Sequence, residues 1–295
     1  MAEKHGDVSA VEKIKQASRG LRGSLAPELA ADTSHFEDEA AQLLKFHGVY
    51  QQDDRDARRQ RSDAGLEPDY TFMVRCKIPG GVLTAEQYLV LDELAGRYGN
   101  GTLRVTTRQD NQFHGVVKGE LKATMRALND ALVTTLGACG DVQRNVMCCP
   151  APLPGALRDE VLQMARRISE HLLPRTRAYH EIWLNGEQLG SGAGAPNREP
   201  DPIYGDRYLP RKFKTAIAFP DDNCTDVYSN DLGFLAIPEG DRIAGFNVLV
   251  GGGLGMTHGK KVTYPRLADP TATTAGMRVS STCWTIGGST GSAGR

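Results

Sequence analysis

Residues 102–116 read TLRVTTRQDNQFHGV, and few stretches restrict a fold as tightly. Side chains on a strand alternate between two faces, so the segment reads as one strand entering a turn and a second leaving it. Arg104, Thr106 and Arg108 then share a face, and Asp110-Asn111 supplies the turn. Gln112 and His114 lie on one face of the returning strand, with Phe113 on the other. Such a hairpin gathers two guanidiniums, a hydroxyl, an amide and an imidazole around one patch. Guanidinium offers a rigid fork of donors that matches carboxylate and oxyanion geometry. Alternating charge is also the ordinary solvated face of an antiparallel sheet. Recurrence of the pattern elsewhere in the chain favours a site for something strongly anionic.

The flanking sequence predicts the layer that holds this hairpin. Residues 70–78 read as a strand, with Phe72, Val74 and Cys76 on one face and Met73, Arg75 and Lys77 on the other, closed by Pro79-Gly80-Gly81. Thr84 opens a helix with Gln87 at the capping-box position. Tyr88, Leu91, Ala95 and Tyr98 follow at helical spacing. A second helix over about 120–136 buries Leu121, Met125, Leu128 and Leu132. Strand, helix, strand, strand, helix is most of a ferredoxin-like split unit, a half-domain over 62–137. Residues 1–61 read as an N-terminal arm, helix-leaning to about 44 and broken by Pro27, with FHGVYQQDDRDARR at 46–59 as a solvated loop.

An α/β domain follows over 138–268. Its loop at 137–154 carries Arg144, Asn145, Cys148 and Cys149. A helix over about 157–172 has Leu157, Val161, Ala165, Ile168 and Leu172 as its core stripe, and Pro174 stops it. Strands are predicted at 178–184, 212–219, 233–237 and 244–250. The glycines at 251–255 lack the third glycine of a dinucleotide fingerprint and read as a tight turn. The last 26 residues contain no Asp, Glu or Lys, so 269–295 reads as a disordered tail, not native to the fold.

Charge and cysteine usage exclude several classes. The formal net charge is −1, from 35 Lys+Arg against 36 Asp+Glu, which argues against a bulk nucleic-acid binder. The polar N-terminus has no secretory h-region, and no apolar run is long enough to span a bilayer. The six cysteines fit neither a disulfide scaffold nor a CxxC metal site. A reduced, cytoplasmic protein is the expectation, with no metal ligand assigned and Cys148 and Cys149 packing as small hydrophobes.

Three basic sets fall on predicted strands: Arg75 with Lys77, Arg104 with Arg108, and Lys212 with Lys214; Arg144 adds a fourth basic group. Converging in one cavity, they repel by several kcal/mol unless a strongly negative ligand compensates. The segments FHGVYQQDDRD at 46–56, MVRCKIPGGV at 73–82, LRVTTRQDNQFHG at 103–115, RNVMC at 144–148, ISEHLLPRTRAYHEIWL at 168–184, YLPRKFKTAIAFP at 208–220 and GFNVLVGGGLGMTHG at 245–259 resemble the nitrite/sulfite reductase family over roughly 20–268. The resemblance implies an α+β fold, a ferredoxin-like half-domain followed by an α/β siroheme-binding domain, with the C-terminal half of the family fold absent.

It also implies siroheme bridged to a four-iron four-sulfur cluster, six-electron reduction of sulfite to sulfide in sulfate assimilation, and electrons from a flavoprotein using NADPH or from ferredoxin. By the resemblance, Arg75, Arg144, Lys212 and Lys214 contact sulfite. Arg104, Thr106, Thr107, Arg108, Gln112, His114 and Arg211 hold the siroheme carboxylates. The cysteine spacing of the family's cluster is missing here, so the chain alone is expected to be inactive and colourless. Other readings are a nitrite reductase of the same fold, a non-catalytic anion- or RNA-binding module, and a misfolded fragment.

Overall fold

The computed structural model describes residues 8–151, 155–185, 200–256 and 263–275. Seven α-helices occur among them: α1 (Ala10–Ala17), α2 (Leu25–Ala30), α3 (Asp38–Leu44), α4 (Arg55–Asp63), α5 (Ala85–Arg97), α6 (Leu121–Asp130) and α7 (Ala156–His171). Nine strands pair into two sheets. β1 (Val49–Asp53), β2 (Tyr70–Cys76), β3 (Leu103–Val105) and β4 (Asn111–Val116) form an antiparallel sheet in the order β1-β2-β4-β3. β5 (Gln143–Met147), β6 (Phe213–Ala218), β7 (Leu232–Glu239), β8 (Arg242–Val250) and β9 (Asp269–Ala275) form the second sheet in that order. Its β5-β6 and β6-β7 pairs are parallel, and β7-β8 and β8-β9 are antiparallel.

The ferredoxin-like half-domain forms as its residue pattern predicts. Thr84 Oγ1 accepts the Gln87 N–H while Gln87 Oε1 accepts the Thr84 N–H, so a capping box starts α5. Leu91, Leu94 and Ala95 face inward from α5, and Leu121, Met125 and Leu128 from α6. They pack on Phe72, Val74, Phe113 and Val116 of the sheet in one core. Deleting a buried ring such as Phe113 from that core costs about 3–5 kcal/mol.

Several boundaries differ from expectation, each for a local reason. Residues 46–59 are not a solvated loop: β1 and the start of α4 lie within them. β1 runs antiparallel to β2 from Val49↔Val74 to Asp53↔Tyr70, filling the strand position that the split unit leaves open beside β2. Its polar side chains hide a strand held by backbone bonds. Asp54 then caps α4 through the N–H groups of Asp56 and Ala57. α4 buries no side chain, so no apolar stripe marks it.

Within the predicted loop at 137–154, QRNVM is β5, buried at all five positions. The predicted strand at 178–184 is instead a π-helical turn, His180–Asn185, with Ile182 and Trp183 buried; a short apolar run fits either form. Leu132 belongs to no helix: at φ 58° it is 88% exposed, beyond the end of α6. The hairpin turn lies at 106–110, not at Asp110-Asn111, because the Thr106 N–H donates to the Asp110 carbonyl and Asn111 already pairs in β4. Residues 269–275 pair with β8, so the tail expected from 269 is ordered there; 276–295 lie outside the described residues.

Candidate functional site

The turn between β3 and β4 is built to hold Arg108. Thr106 Oγ1 accepts the N–H groups of Arg108 and Asp110, and Gln109 takes a left-handed φ of 59°. The Gln109 amide clamps Cys148 at the end of β5, donating to its carbonyl at 2.6 Å and accepting its N–H at 3.3 Å. Asn145 on β5 donates to the carbonyls of Ile78 and Arg108 at 2.6 and 2.9 Å. Side-chain amides therefore pin the hairpin of the first sheet to β5 of the second.

Between the two sheets lies a cavity of about 460 Å³. Arg75, Thr106, Thr107, Arg108, Asp110, Arg144, Lys212 and Lys214 are among its lining residues. Seven of the eleven predicted site residues thus meet in one wall. Gln112 and His114 stand behind it. Gln112 Oε1 accepts from Arg75 Nε and Nη2 at 3.0 and 2.7 Å, Gln112 Nε2 lies 3.1 Å from His114 Nε2, and His114 Nδ1 lies 3.0 Å from Gln52 Oε1. Arg104 is exposed on β3 opposite Gln112, and Arg211 is exposed beside Lys212; neither lines the cavity. Arg104 does not share a strand face with Arg108, because β3 ends at Val105.

The basic side chains are held by neutral groups. Arg75 Nη1 lies 3.3 Å from Cys139 Sγ. Buried Arg144 donates from Nε to the Gly140 carbonyl at 2.7 Å and from Nη1 to the Ala138 carbonyl at 3.3 Å. Arg108 Nη1 donates to Asn230 Oδ1 at 3.0 Å. Lys214 Nζ donates to the Ser229 carbonyl at 2.9 Å and lies 4.0 Å from Asp231. Among the described residues, that is the one carboxylate within ion-pair distance of the basic lining groups.

Burial dominates the titration of the wall. Burial lowers the Lys212 ammonium, and Arg144, Arg211 and Arg108 push it further. Burial also lowers Lys214, with Asp231 opposing. Arg108 falls to about 10, chiefly through burial. Asp110 rises to about 7 because burial outweighs its bond from the Ile78 N–H and the nearby Arg75, Lys77 and Arg108. Asp110, Asp231, Asn145 and Asn230 were missed by sequence reasoning. Strand alternation assigns Asp110 to a turn; Asn145 and Asn230 meet the hairpin across the two sheets, and Asp231 meets Lys214 only through the pairing of β6 with β7.

Two family models match the chain: the nitrite/sulfite reductase ferredoxin-like half domain over residues 65–131, and the nitrite and sulphite reductase 4Fe-4S domain over 163–286. The sulfite reductase (NADPH) hemoprotein beta-component of Geobacillus kaustophilus is 57% identical over 266 residues, covering 89% of this chain and 46% of that protein. The chain belongs to the nitrite and sulfite reductase family.

The family's protein of the same name in Myxococcus xanthus is 54% identical over 270 residues, 91% of this chain and 47% of its own length. The chain thus spans about half the length of these relatives. Among solved structures, the NirA protein of Mycobacterium tuberculosis shares the fold, with a TM-score of 0.63 at 22% identity, covering 89% of this chain and 43% of that one. No helix among the described residues is long and apolar enough to cross a membrane.

Proposed function

We propose that the cavity holds the carboxylates of siroheme and the oxyanion sulfite, and that the whole protein reduces sulfite to sulfide. One observation carries this reading: four cationic side chains, Arg75, Arg108, Arg144 and Lys212, line one cavity with no carboxylate within ion-pair distance among the described residues. Such a wall costs several kcal/mol until a polyanion fills it.

Arg75, Arg144, Lys212 and Lys214 are assigned to sulfite. Thr106, Thr107 and Arg108 are assigned to the cofactor's carboxylates, with Arg104 and Arg211 reaching them from outside the cavity and Gln112 and His114 seating Arg75 from behind its wall. When bound, siroheme supplies the iron at which sulfite takes up electrons. The protein's part is electrostatic and protic. Fork-shaped and ammonium donors hold the three oxygens, neutralise their charge, and pass protons as each oxygen leaves as water. Burial lowers Lys212 and Lys214 toward the pH at which an ammonium gives up a proton readily.

The family's four-iron four-sulfur cluster takes four thiolates. Among the described residues the cysteines that come together in a ligand group are Cys149 and Cys224, with Asp222, two thiolates where the cluster needs four. By itself the chain supplies the cationic half of the pocket and, on this reading, no turnover. Electrons come from a flavoprotein that uses NADPH, a partner consistent with relatives named as the beta-component of an NADPH sulfite reductase.

An RNA-binding reading is disfavoured by Phe113, which is fully buried and closed to base stacking. Titrating the purified chain with siroheme and following the pigment's visible absorption tests the proposal. Saturable binding that weakens at least tenfold in Arg108→Gln is expected, and sulfite added to the siroheme-loaded chain should bind less tightly in Arg144→Gln. Equal binding by wild type and both variants sinks it.

A further inference from the structure

A second constellation, Cys149, Asp222 and Cys224, is not among the residues that line the cationic cavity and plays no part in the proposed reduction. β5 and β6 are parallel neighbours, with Met147 opposite Ala216, so the segments after them emerge side by side. Cys149 follows β5. Asp222 and Cys224 follow β6, in a tight turn where the Asp222 N–H donates to the Phe219 carbonyl and Asp222 Oδ1 accepts the Cys224 N–H at 3.1 Å. The two sulfurs and a carboxylate oxygen all lie within 4.8 Å of one another. From the first turn of α7, Arg158 Nη1 donates to Cys149 Sγ at 2.7 Å, and Nη2 lies 3.6 Å from Asp222. A cavity of about 380 Å³, lined in part by Cys149, Arg158 and Asp159, opens beside the group.

We infer that Cys149, Asp222 and Cys224 form a binding site for a thiophilic divalent cation of the zinc class. Two thiolates and a carboxylate are a ligand set that such ions accept in tetrahedral geometry, at about 2.3 Å to sulfur and about 2.0 Å to oxygen. Side-chain rotation alone closes the remaining gap, because Cys224 is exposed and Asp222 is on a short turn. A divalent ion and the Arg158 guanidinium together neutralise the three anionic ligands. The Arg158 donor to Cys149 fixes the sulfur from the helix side, as outer-shell partners do. Water takes the fourth position from the adjacent cavity. The site differs from an iron–sulfur cluster site in offering two thiolates, not four. Bound metal ties the turn at 219–224 to the end of β5. This inference does not rest on the proposed reduction.

The test uses the whole chain, purified reduced and free of metal, titrated with Co²⁺ alone. A thiolate-to-cobalt absorption band that saturates at one equivalent is expected, with displacement by Zn²⁺. Cys149→Ser and Cys224→Ser should abolish it, and Asp222→Asn should weaken binding at least tenfold. Cys224 is exposed, so its variant keeps the fold, and an unchanged cooperative thermal transition of that variant serves as the folding control. A missing band, or a band unchanged in Cys224→Ser, overturns the inference. Air oxidation that joins Cys149 to Cys224 equally fast with and without Zn²⁺ overturns it as well.

Discussion

A buried carboxyl among cations ordinarily ionises at lower pH than it would in water; Asp110 does the reverse. It sits near Arg75, Lys77 and Arg108 yet rises to about 7, because complete burial penalises its charged form more than these neighbours favour it. The sign of its effect on stability follows. Between the ordinary carboxylate range and about pH 7 the folded chain holds a proton that the unfolded chain has released, so stability falls as pH rises through that window. Asp110→Asn removes this slope. Measured as the difference in unfolding free energy between the two proteins, the wild type should lose ground to the variant from about pH 4 to pH 7 and run parallel above. A constant difference across that range would refute the assignment.

At the scale of elements, the close approach of the segment after β8 to the turn before β7 organises one side of the cavity. Gly252 has a φ of 63°, and a Cβ placed there meets the Asn230 carbonyl oxygen at 2.0 Å. Asn230 in turn accepts from Arg108. Gly252→Ala therefore strains the backbone and pushes away the residue that seats a cation. We expect a loss of at least about 2 kcal/mol in denaturant unfolding, together with weaker siroheme binding. The glycine run was read as a tight turn, and its need for glycine is real, but the reason is a neighbour 22 positions earlier in sequence. By contrast, the capping box at Thr84 is local. Thr84→Ala should cost about 1 kcal/mol, read by thermal melting, without changing anion binding.

At the scale of the whole molecule, His47 joins three segments. Its Nε2 lies 2.9 Å from the Leu21 carbonyl, and its Nδ1 accepts from Trp183 Nε1 at 2.9 Å, so the neutral ring donates once and accepts once. Burial lowers its pKa to about 4. The unfolded chain binds a proton between about pH 6.5 and pH 4 that the folded chain refuses, so this clamp contributes full stability above 6.5 and loses it as pH falls through 4. The contribution is about 3 kcal/mol. His47→Gln should show a shallower loss on acidification in urea unfolding. The cationic cavity also makes the fold as a whole responsive to anions. Sulfate or phosphate at millimolar concentration should raise the melting temperature by linkage, and the rise should shrink in Arg144→Gln.

The amino-acid sequence by itself determined the ferredoxin-like half-domain and the identity of the cations. Periodicity marks α5, α6, α7, β2 and β4, because each buries an apolar stripe or face that must recur at the spacing of its backbone. It did not mark β1, β5 or α4. These are polar elements, held by ladder bonds, caps and amide clamps whose partners lie far along the chain. Only the tertiary structure decided that Arg75, Arg108, Arg144 and Lys212 share a cavity while Arg104 and Arg211 stand outside it, and that Cys149 meets Cys224. Strand alternation gives the direction of a side chain relative to its own sheet. Convergence of two sheets depends on how they pack, and that is set by many distant contacts acting together.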